Sequence, residues 1–296
     1  MPRLAQYVPT LALLLLASCF ADAEAPAAPP LRLGFWNVRK LGQDTGKDVA
    51  QLCASIHAHF DVLALAEVMA EDDTGDVAAL EACLARAFHV LHSEGARPPG
   101  QSAHRETLQL FFRPESAVPC PHTTTLRWAS GPATVGGTPP FLRPPAFACL
   151  SLKGVGDVLV GAYHARWGSG DAADIAREIS LLDDLLAELP EQFEPIADVL
   201  LFGDLNLVPA AVARASGLVS HTEGSGSTLS RDGEPTEHLF DQLLLGPRTR
   251  LAPTARVLDV RAEAGGAERY LRALSDHLPI VARLARNRPQ EPQEMP

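Results

Sequence analysis

Carboxylate, amide and imidazole side chains recur at the edges of apolar runs in this chain. Asn37 closes the run from Leu31, Glu67 follows Asp61 to Ala66, and His164 follows Val158 to Tyr163. Asp204 and Asn206 follow Val199 to Phe202, while Asp276 and His277 precede Pro279 to Leu284. Oxygen-rich sets of this kind suit magnesium, manganese or calcium, which take carboxylate, carbonyl and water ligands. Zinc is less favoured, because the chain has neither the paired Cys/His spacing of a structural zinc site nor a His-Glu-x-x-His arrangement. Taken singly, each residue has a plain structural explanation: Glu67 as a capping or edge carboxylate, Asp204 and Asn206 as an Asx turn, His164 as a satisfied strand-end histidine. Together they cover the needs of phosphodiester hydrolysis, which are an activated in-line water, charge stabilisation on the phosphoryl oxygens and a proton or cation for the leaving oxygen.

The elements that must position these groups follow from periodicity. Leu31 to Asn37 reads as a strand, Asp48 to His59 as a helix with Val49, Leu52 and Ile56 on one face, and Asp61 to Ala66 as a buried strand. Val77 to Phe88 reads as a second helix. A Gly/Pro-rich loop from Gly95 to Gly100 comes next, then short strands at Thr107 to Phe112, Ala117 to Cys120, Ala146 to Leu152 and Val158 to Tyr163. The turn-rich stretch Ser130 to Pro140 separates two of them. Asp174 to Leu189 is an amphipathic helix expected to stop at Pro190. Strands at Val199 to Phe202, Leu239 to Leu245 and Pro279 to Leu284 complete the pattern, with a Gly/Ser-rich loop from Glu223 to Gly233. Strands with flanking helices, twice over and without an internal repeat, predict an α/β sandwich in a single domain, with the polar clusters on loops at strand ends.

The N-terminus carries Arg3, an apolar run from Leu11 to Leu16, and then Ala17-Ser18-Cys19, which reads as an export signal. That run is shorter than the about 20 residues a membrane span needs. Leu16-Ala17-Ser18-Cys19 is similar to the bacterial lipobox, whose cysteine is lipidated; the alternative is ordinary cleavage after Ala21-Asp22-Ala23. The expected organisation is a signal-peptide region at 1–24, a tether at 25–30, one catalytic domain at 31–286 and a flexible tail at 287–296. The chain is therefore expected outside the cytoplasm, in the bacterial periplasm or outer membrane as a lipoprotein, or secreted. With Cys19 set aside, Cys53, Cys83, Cys120 and Cys149 remain, and neighbouring elements favour Cys53 with Cys83 and Cys120 with Cys149; four buried thiols are the alternative. A formal net charge of −11, from 36 acidic and 25 basic residues, argues against a protein that coats nucleic acid by bulk electrostatics. It is compatible with a hydrolase that needs access to one phosphate and uses divalent cations.

Five blocks carry a family resemblance: Phe35-Trp36-Asn37-Val38-Arg39, Leu65-Ala66-Glu67-Val68, Leu201-Phe202-Gly203-Asp204-Leu205-Asn206, Phe240-Asp241-Gln242-Leu243-Leu244 and Ser275-Asp276-His277-Leu278-Pro279-Ile280. In order and spread they resemble the signature blocks of the endonuclease/exonuclease/phosphatase superfamily. Arg105-Glu106 before Leu110-Phe111-Phe112-Arg113-Pro114, and Phe141-Leu142-Arg143-Pro144-Pro145, further resemble the deoxyribonuclease I-like branch. The resemblance implies a four-layer α/β/β/α sandwich and a divalent-metal-dependent phosphodiesterase, using Mg2+ or alternatively Mn2+ or Ca2+.

The same resemblance implies roles. Asn37, Glu67 and Asp276 would serve the metal. His277 would act as base or electrostatic partner oriented by Asp241, and His164, preferred over its neighbour Tyr163, as the complementary acid oriented by Glu106. Asp204 would position the nucleophilic water, while Asn206 and Arg143 would contact the substrate phosphate. The expected substrate is DNA, cleaved endonucleolytically, and the chain is expected to act as a monomer, on a membrane if Cys19 is lipidated. Two other readings stand beside it: a phosphatase or a phosphodiesterase acting on sphingomyelin or inositol phosphates, and a catalytically inactive binding module.

Overall fold

Along the first strand, Leu31, Leu33 and Phe35 enter one apolar cluster while Trp36 and Val38 enter another, so both faces of the strand are buried. This period-two division repeats in every long strand and builds the layers. The computed structural model describes residues 28–95, 105–129, 141–167, 172–193 and 196–285. The expected signal region with Cys19, residues 25–27 of the tether, the tail, the Gly95 to Gly100 loop after Gly95 and the whole of Ser130 to Pro140 lie outside the described residues.

In chain order the elements are β1 (Leu31–Leu41), α1 (Val49–His59), β2 (Val62–Met69), α2 (Asp76–Leu84), β3 (His89–His92), β4 (Glu106–Phe112), β5 (Ala117–Pro119) and β6 (Arg127–Trp128). There follow β7 (Ala146–Leu152), β8 (Gly156–His164), α3 (Ala172–Ile179), α4 (Leu182–Phe193), β9 (Val199–Asp204) and α5 (Pro209–Ser216). The chain ends with β10 (Thr222–Glu223), β11 (Asp241–Leu245), β12 (Ala255–Val257), α6 (Ala267–Ala273) and β13 (Ile280–Leu284). One mixed sheet has the order β10-β12-β13-β1-β2-β4-β3, and the other β11-β9-β8-β7-β5 with β6 paired to β7.

The sheets face each other through Phe35, Ala64 and Leu110 on one side and Ala148, Val160 and Phe202 on the other. Outside the first sheet, α1, α2 and α6 cover Trp36, Leu63 and Phe111 with Leu52, Leu80 and Tyr270. Outside the second, α3, α4 and α5 cover Phe147, Leu159 and Leu201 with Ile179, Leu186 and Val212. The result is the expected α/β/β/α sandwich in one domain. The expected disulfides are formed: Cys53–Cys83 ties α1 to α2, and Cys120–Cys149 ties the end of β5 to β7.

The helix expected from Asp174 to Leu189 is two helices. Ser180 Oγ donates back to the Arg177 carbonyl at 2.7 Å, satisfying the chain end locally and breaking α3 from α4. Pro190 does not stop α4, which runs on to Phe193. Burial of Leu182, Leu185, Leu186, Leu189 and Pro190 on the sheet outweighs one missing helical hydrogen bond. The short elements β3, β6, β10, β12, α5 and α6 have no periodicity long enough to announce them.

Candidate active site

β1 and β2 run parallel, as do β8 and β9, while β4 and β11 run antiparallel to their partners. The C-terminal ends of the first four and the N-terminal ends of β4 and β11 therefore meet at one rim. Asn37, Glu67, His164 and Asp204 stand on the former, Glu106 and Asp241 on the latter, and Asp276 and His277 on the loop entering β13. At Gly203 a Cβ would lie 2.5 Å from the Tyr163 carbonyl oxygen, so glycine is required where β8 and β9 bring His164 level with Asp204.

Asp204 is the hub. Its Oδ2 accepts from Asn37 Nδ2 at 3.1 Å and lies 3.6 Å from His277 Nε2 and 3.8 Å from His164 Nε2, while Oδ1 accepts the Asn206 N–H at 3.0 Å. Two imidazole edges thus point at one carboxylate oxygen from beyond hydrogen-bond distance. Each imidazole is oriented from behind. His164 Nδ1 lies 2.6 Å from Glu106 Oε1, and His277 Nδ1 lies 2.8 Å from Asp241 Oδ2. Burial raises the Glu106 carboxyl, but the His164 and Arg143 charges overcome it and hold Glu106 at about 2. At His164, burial and Arg143 lower the pKa, and Glu106 and Asp204 outweigh them, so the net shift is upward. At His277, burial is overcome by Asp241 and Asp204, which lift the imidazole to about 10. Burial raises the Asp241 carboxyl from its ordinary value, and with His277 at about 10 the dyad retains its proton at neutral pH.

A cavity of about 400 Å³ opens onto the hub, lined by Glu67, His164, Asp204, Asn206, Asp276 and His277, with Arg39, Lys40, Trp167 and Phe240 among its other residues. Trp167 is 73% exposed, the most exposed large apolar side chain among the described residues. Glu67 and Asn206 carry positive φ, at 57° and 50°, conformations that non-glycine residues keep only where the surroundings hold them.

The donor chemistry fits a divalent cation: Glu67 and Asp276 present hard carboxylate oxygens to the same cavity, with Asp204 beside them. Asn37 sits differently from a ligand. Its Oδ1 accepts from Arg39 N–H at 3.0 Å, and its Nδ2 donates to Glu67 Oε1 at 2.9 Å as well as to Asp204, so it orients Glu67 unless the amide turns over. Ligand atoms of Asp204, Asp241 and His277 also fall within 4.8 Å of one another. That trio is a poorer cation site, because Asp241 Oδ2 is already shared between His277 and the Ser227 hydroxyl at 2.6 Å.

Arg143 lies behind His164 and not among the cavity-lining residues. Its guanidinium donates to Glu106 Oε2 at 2.7 Å and to the His164 and Ala165 carbonyls at 3.1 and 2.8 Å. As placed, it braces the His164 dyad and does not face a phosphate. Asn206 does line the cavity, with Nδ2 donating to the Ala165 carbonyl at 3.2 Å.

Sequence reasoning missed Ser227, whose hydroxyl takes Asp241 and which lies inside a segment read only as a loop. It also missed Lys40, whose N–H donates to Glu67 Oε2 at 3.1 Å, and Tyr270 and Trp36, which both donate to the His277 carbonyl. Trp36 stood inside a signature block, but no local pattern marks the other three.

Residues 34–277 match the model of the endonuclease/exonuclease/phosphatase family. The chain belongs to that family. Enzymes of this family generally use divalent metals, and the chain is a hydrolase of the family on an α/β/β/α sandwich. A deoxyribonuclease of Thioalkalivibrio sp. (strain K90mix) is 30% identical over 273 residues, covering 86% of this chain and 71% of that protein. Among solved structures, Danio rerio TDP2 with a single-stranded DNA product superimposes with a TM-score of 0.56 at 17% identity, covering 86% of this chain and 98% of that one. A mannosyl-6-phosphatase of Bacteroides thetaiotaomicron gives 0.57 at 15% identity, covering 85% and 98%. These two likenesses concern the fold.

Proposed function

We propose that this family member is an exported, Mg2+-dependent endonuclease that hydrolyses DNA phosphodiester bonds by in-line attack of water. The observation that carries the reading is the convergence of His164 and His277 on Asp204 beside the Glu67 and Asp276 carboxylates. A bound divalent cation held by Glu67 and Asp276 would supply charge stabilisation to the phosphoryl oxygens. The remaining work belongs to the side chains. Asp204 orients the attacking water and accepts its proton. His277, kept protonated by Asp241, donates from Nε2 to a non-bridging oxygen, and Asn206 adds an amide donor where charge accumulates. His164 is the complementary acid for the leaving oxygen, braced by Glu106 and Arg143. DNA as substrate is supported by the deoxyribonuclease relative and by Arg39, Lys40 and Trp167 at the cavity mouth.

Export is supported by the Leu11 to Leu16 run and by the disulfides, which form in oxidising compartments. The intact mass of the mature chain distinguishes lipidation at Cys19 from cleavage after Ala23, and a mass still containing residues 1–18 refutes both. For the reaction, EDTA-treated protein is given fluorescent DNA, sphingomyelin or a phosphomonoester with and without Mg2+. Metal-restored cleavage of DNA is expected; cleavage of sphingomyelin or the phosphomonoester alone overturns the substrate, and full activity in EDTA overturns the metal requirement.

A further inference from the structure

Lys47 is a half-buried lysine that points away from solvent partners and into backbone. Its Nζ donates to the Val38 carbonyl at 2.9 Å and to the Leu274 carbonyl at 2.7 Å. Those carbonyls belong to different walls of the site. We propose that Lys47 is a positioning residue that clamps the irregular last stretch of β1 after Asn37, which orients Glu67, to the α6–β13 loop, which carries Asp276. The proposal rests on the divalent-metal reading above.

On the first wall, Val38 precedes Arg39 and Lys40, which carry positive φ of 43° and 49°. Two successive left-handed non-glycine residues are costly, and surrounding contacts must hold them. This strained stretch at the β1 register shift aims the Lys40 N–H at Glu67 Oε2 and the Arg39 N–H at Asn37 Oδ1, at 3.1 and 3.0 Å. It thereby sets both Glu67 and the amide that grips Glu67. On the second wall, Leu274 follows α6 directly and leads through Ser275 to Asp276 and His277.

Two further bonds cross the same seam: Ser275 Oγ donates to the Asn37 carbonyl at 2.6 Å, and the Asp48 N–H donates to the Ala273 carbonyl at 2.8 Å. The Arg39 guanidinium also crosses it, to the Arg272 carbonyl at 3.4 Å; Lys47 differs from these donors in gripping both walls from one atom. An ammonium fits because it offers three donors from one atom and can satisfy two carbonyls that face each other. Burial, with help from the Arg39 charge, brings Lys47 down to about 8.

The test compares wild type, Lys47→Met and Lys47→Arg, each freed of metal with EDTA and titrated with Mn2+ by electron paramagnetic resonance, with no substrate present. Removing a group that orients metal ligands costs about tenfold or more in affinity, and that is the loss expected for Lys47→Met. Arginine can still donate to both carbonyls, so Lys47→Arg is expected within about threefold of wild type. In turnover, the Mn2+ concentration for half-maximal rate should rise in Lys47→Met while KM for DNA stays put. A merely structural lysine would lower the unfolding midpoint without moving Mn2+ affinity, and that result overturns the proposal. Should Lys47→Met not fold, Lys47→Gln carries the same test. Failure of the wild type to bind Mn2+ would instead sink the metal reading.

Discussion

The site holds two histidine–carboxylate dyads built from the same residue types, yet their third neighbours differ. Behind His164, Glu106 is gripped by the Arg143 guanidinium at 2.7 Å; behind His277, Asp241 is met by the neutral Ser227 hydroxyl at 2.6 Å and by no cationic side chain among the described residues other than His277 itself. A fixed cation beside the first dyad holds its carboxylate ionised and works against a charge on His164. Without one, the second dyad keeps its proton, and His277 stays cationic far above neutrality. The difference shows how one pairing serves two duties. Both imidazoles are raised, and the difference lies in the neighbouring charge: Arg143 opposes the proton on His164, while Asp241 and Asp204 favour the one on His277.

The largest effect should come from the residue both dyads share. Asp204→Ala is expected to lower DNA hydrolysis by about 10³-fold or more while the unfolding midpoint barely moves. Wild-type turnover in that variant would end the hub assignment. His164→Ala and His277→Ala should each lose about 10²- to 10⁴-fold, and the double variant should be little worse than either if the dyads act as a unit.

Stability should separate the dyads next. Glu106→Gln strands a buried arginine and is expected to cost about 3 kcal/mol in denaturant unfolding. Asp241→Asn still offers an oxygen to His277 and Ser227 and should cost about 1 kcal/mol. Equal losses would erase the distinction drawn from Arg143. Acid titration adds a sign. Glu106 sits at about 2 when folded, below its ordinary 4.5, so its contribution is complete above pH 4.5 and is lost as pH falls towards 2. Glu106→Gln should flatten the stability curve in that window, and an unchanged slope would refute the shift. The smallest expected effect on rate is that of Ser227→Ala: it removes a hydroxyl that donates to Asp241 and accepts the Phe240 and Asp241 N–H groups at 3.1 and 3.0 Å, which should cost about 1–3 kcal/mol in stability but slow turnover only a few-fold.

Much of the fold was legible because both sheets are buried on both faces. Ala146 to Leu152, read as a short strand, and Val199 to Phe202, read as a buried one, both stand as strands, since near-continuous apolar runs have few other homes. Pro190 misled because local helix rules ignore the leucine face that holds α4 together. The polar residues at the strand ends were also legible as a set, and the structure draws Asn37, Glu67, His164, Asp204, Asp276 and His277 to one rim. Arg143 was not legible in its placement: a sequence can mark a cation in a family block, but whether it faces substrate or a glutamate depends on which loop folds over it.

What the chain's own order of residues determined is therefore the alternation of its strands, the cysteines available to pair and the residue types at the strand ends, all local or nearly so. Tertiary structure alone decided how Arg143, Ser227 and Lys47 are used. Each acts on a partner outside its own local segment, across 14 residues for Ser227 and Asp241, 37 for Arg143 and Glu106 and 227 for Lys47 and Leu274. Periodicity reaches only a few turns or strand pairs, whereas electrostatic poise and backbone clamping depend on distances of about 3 Å that exist only once both sheets have closed on their core.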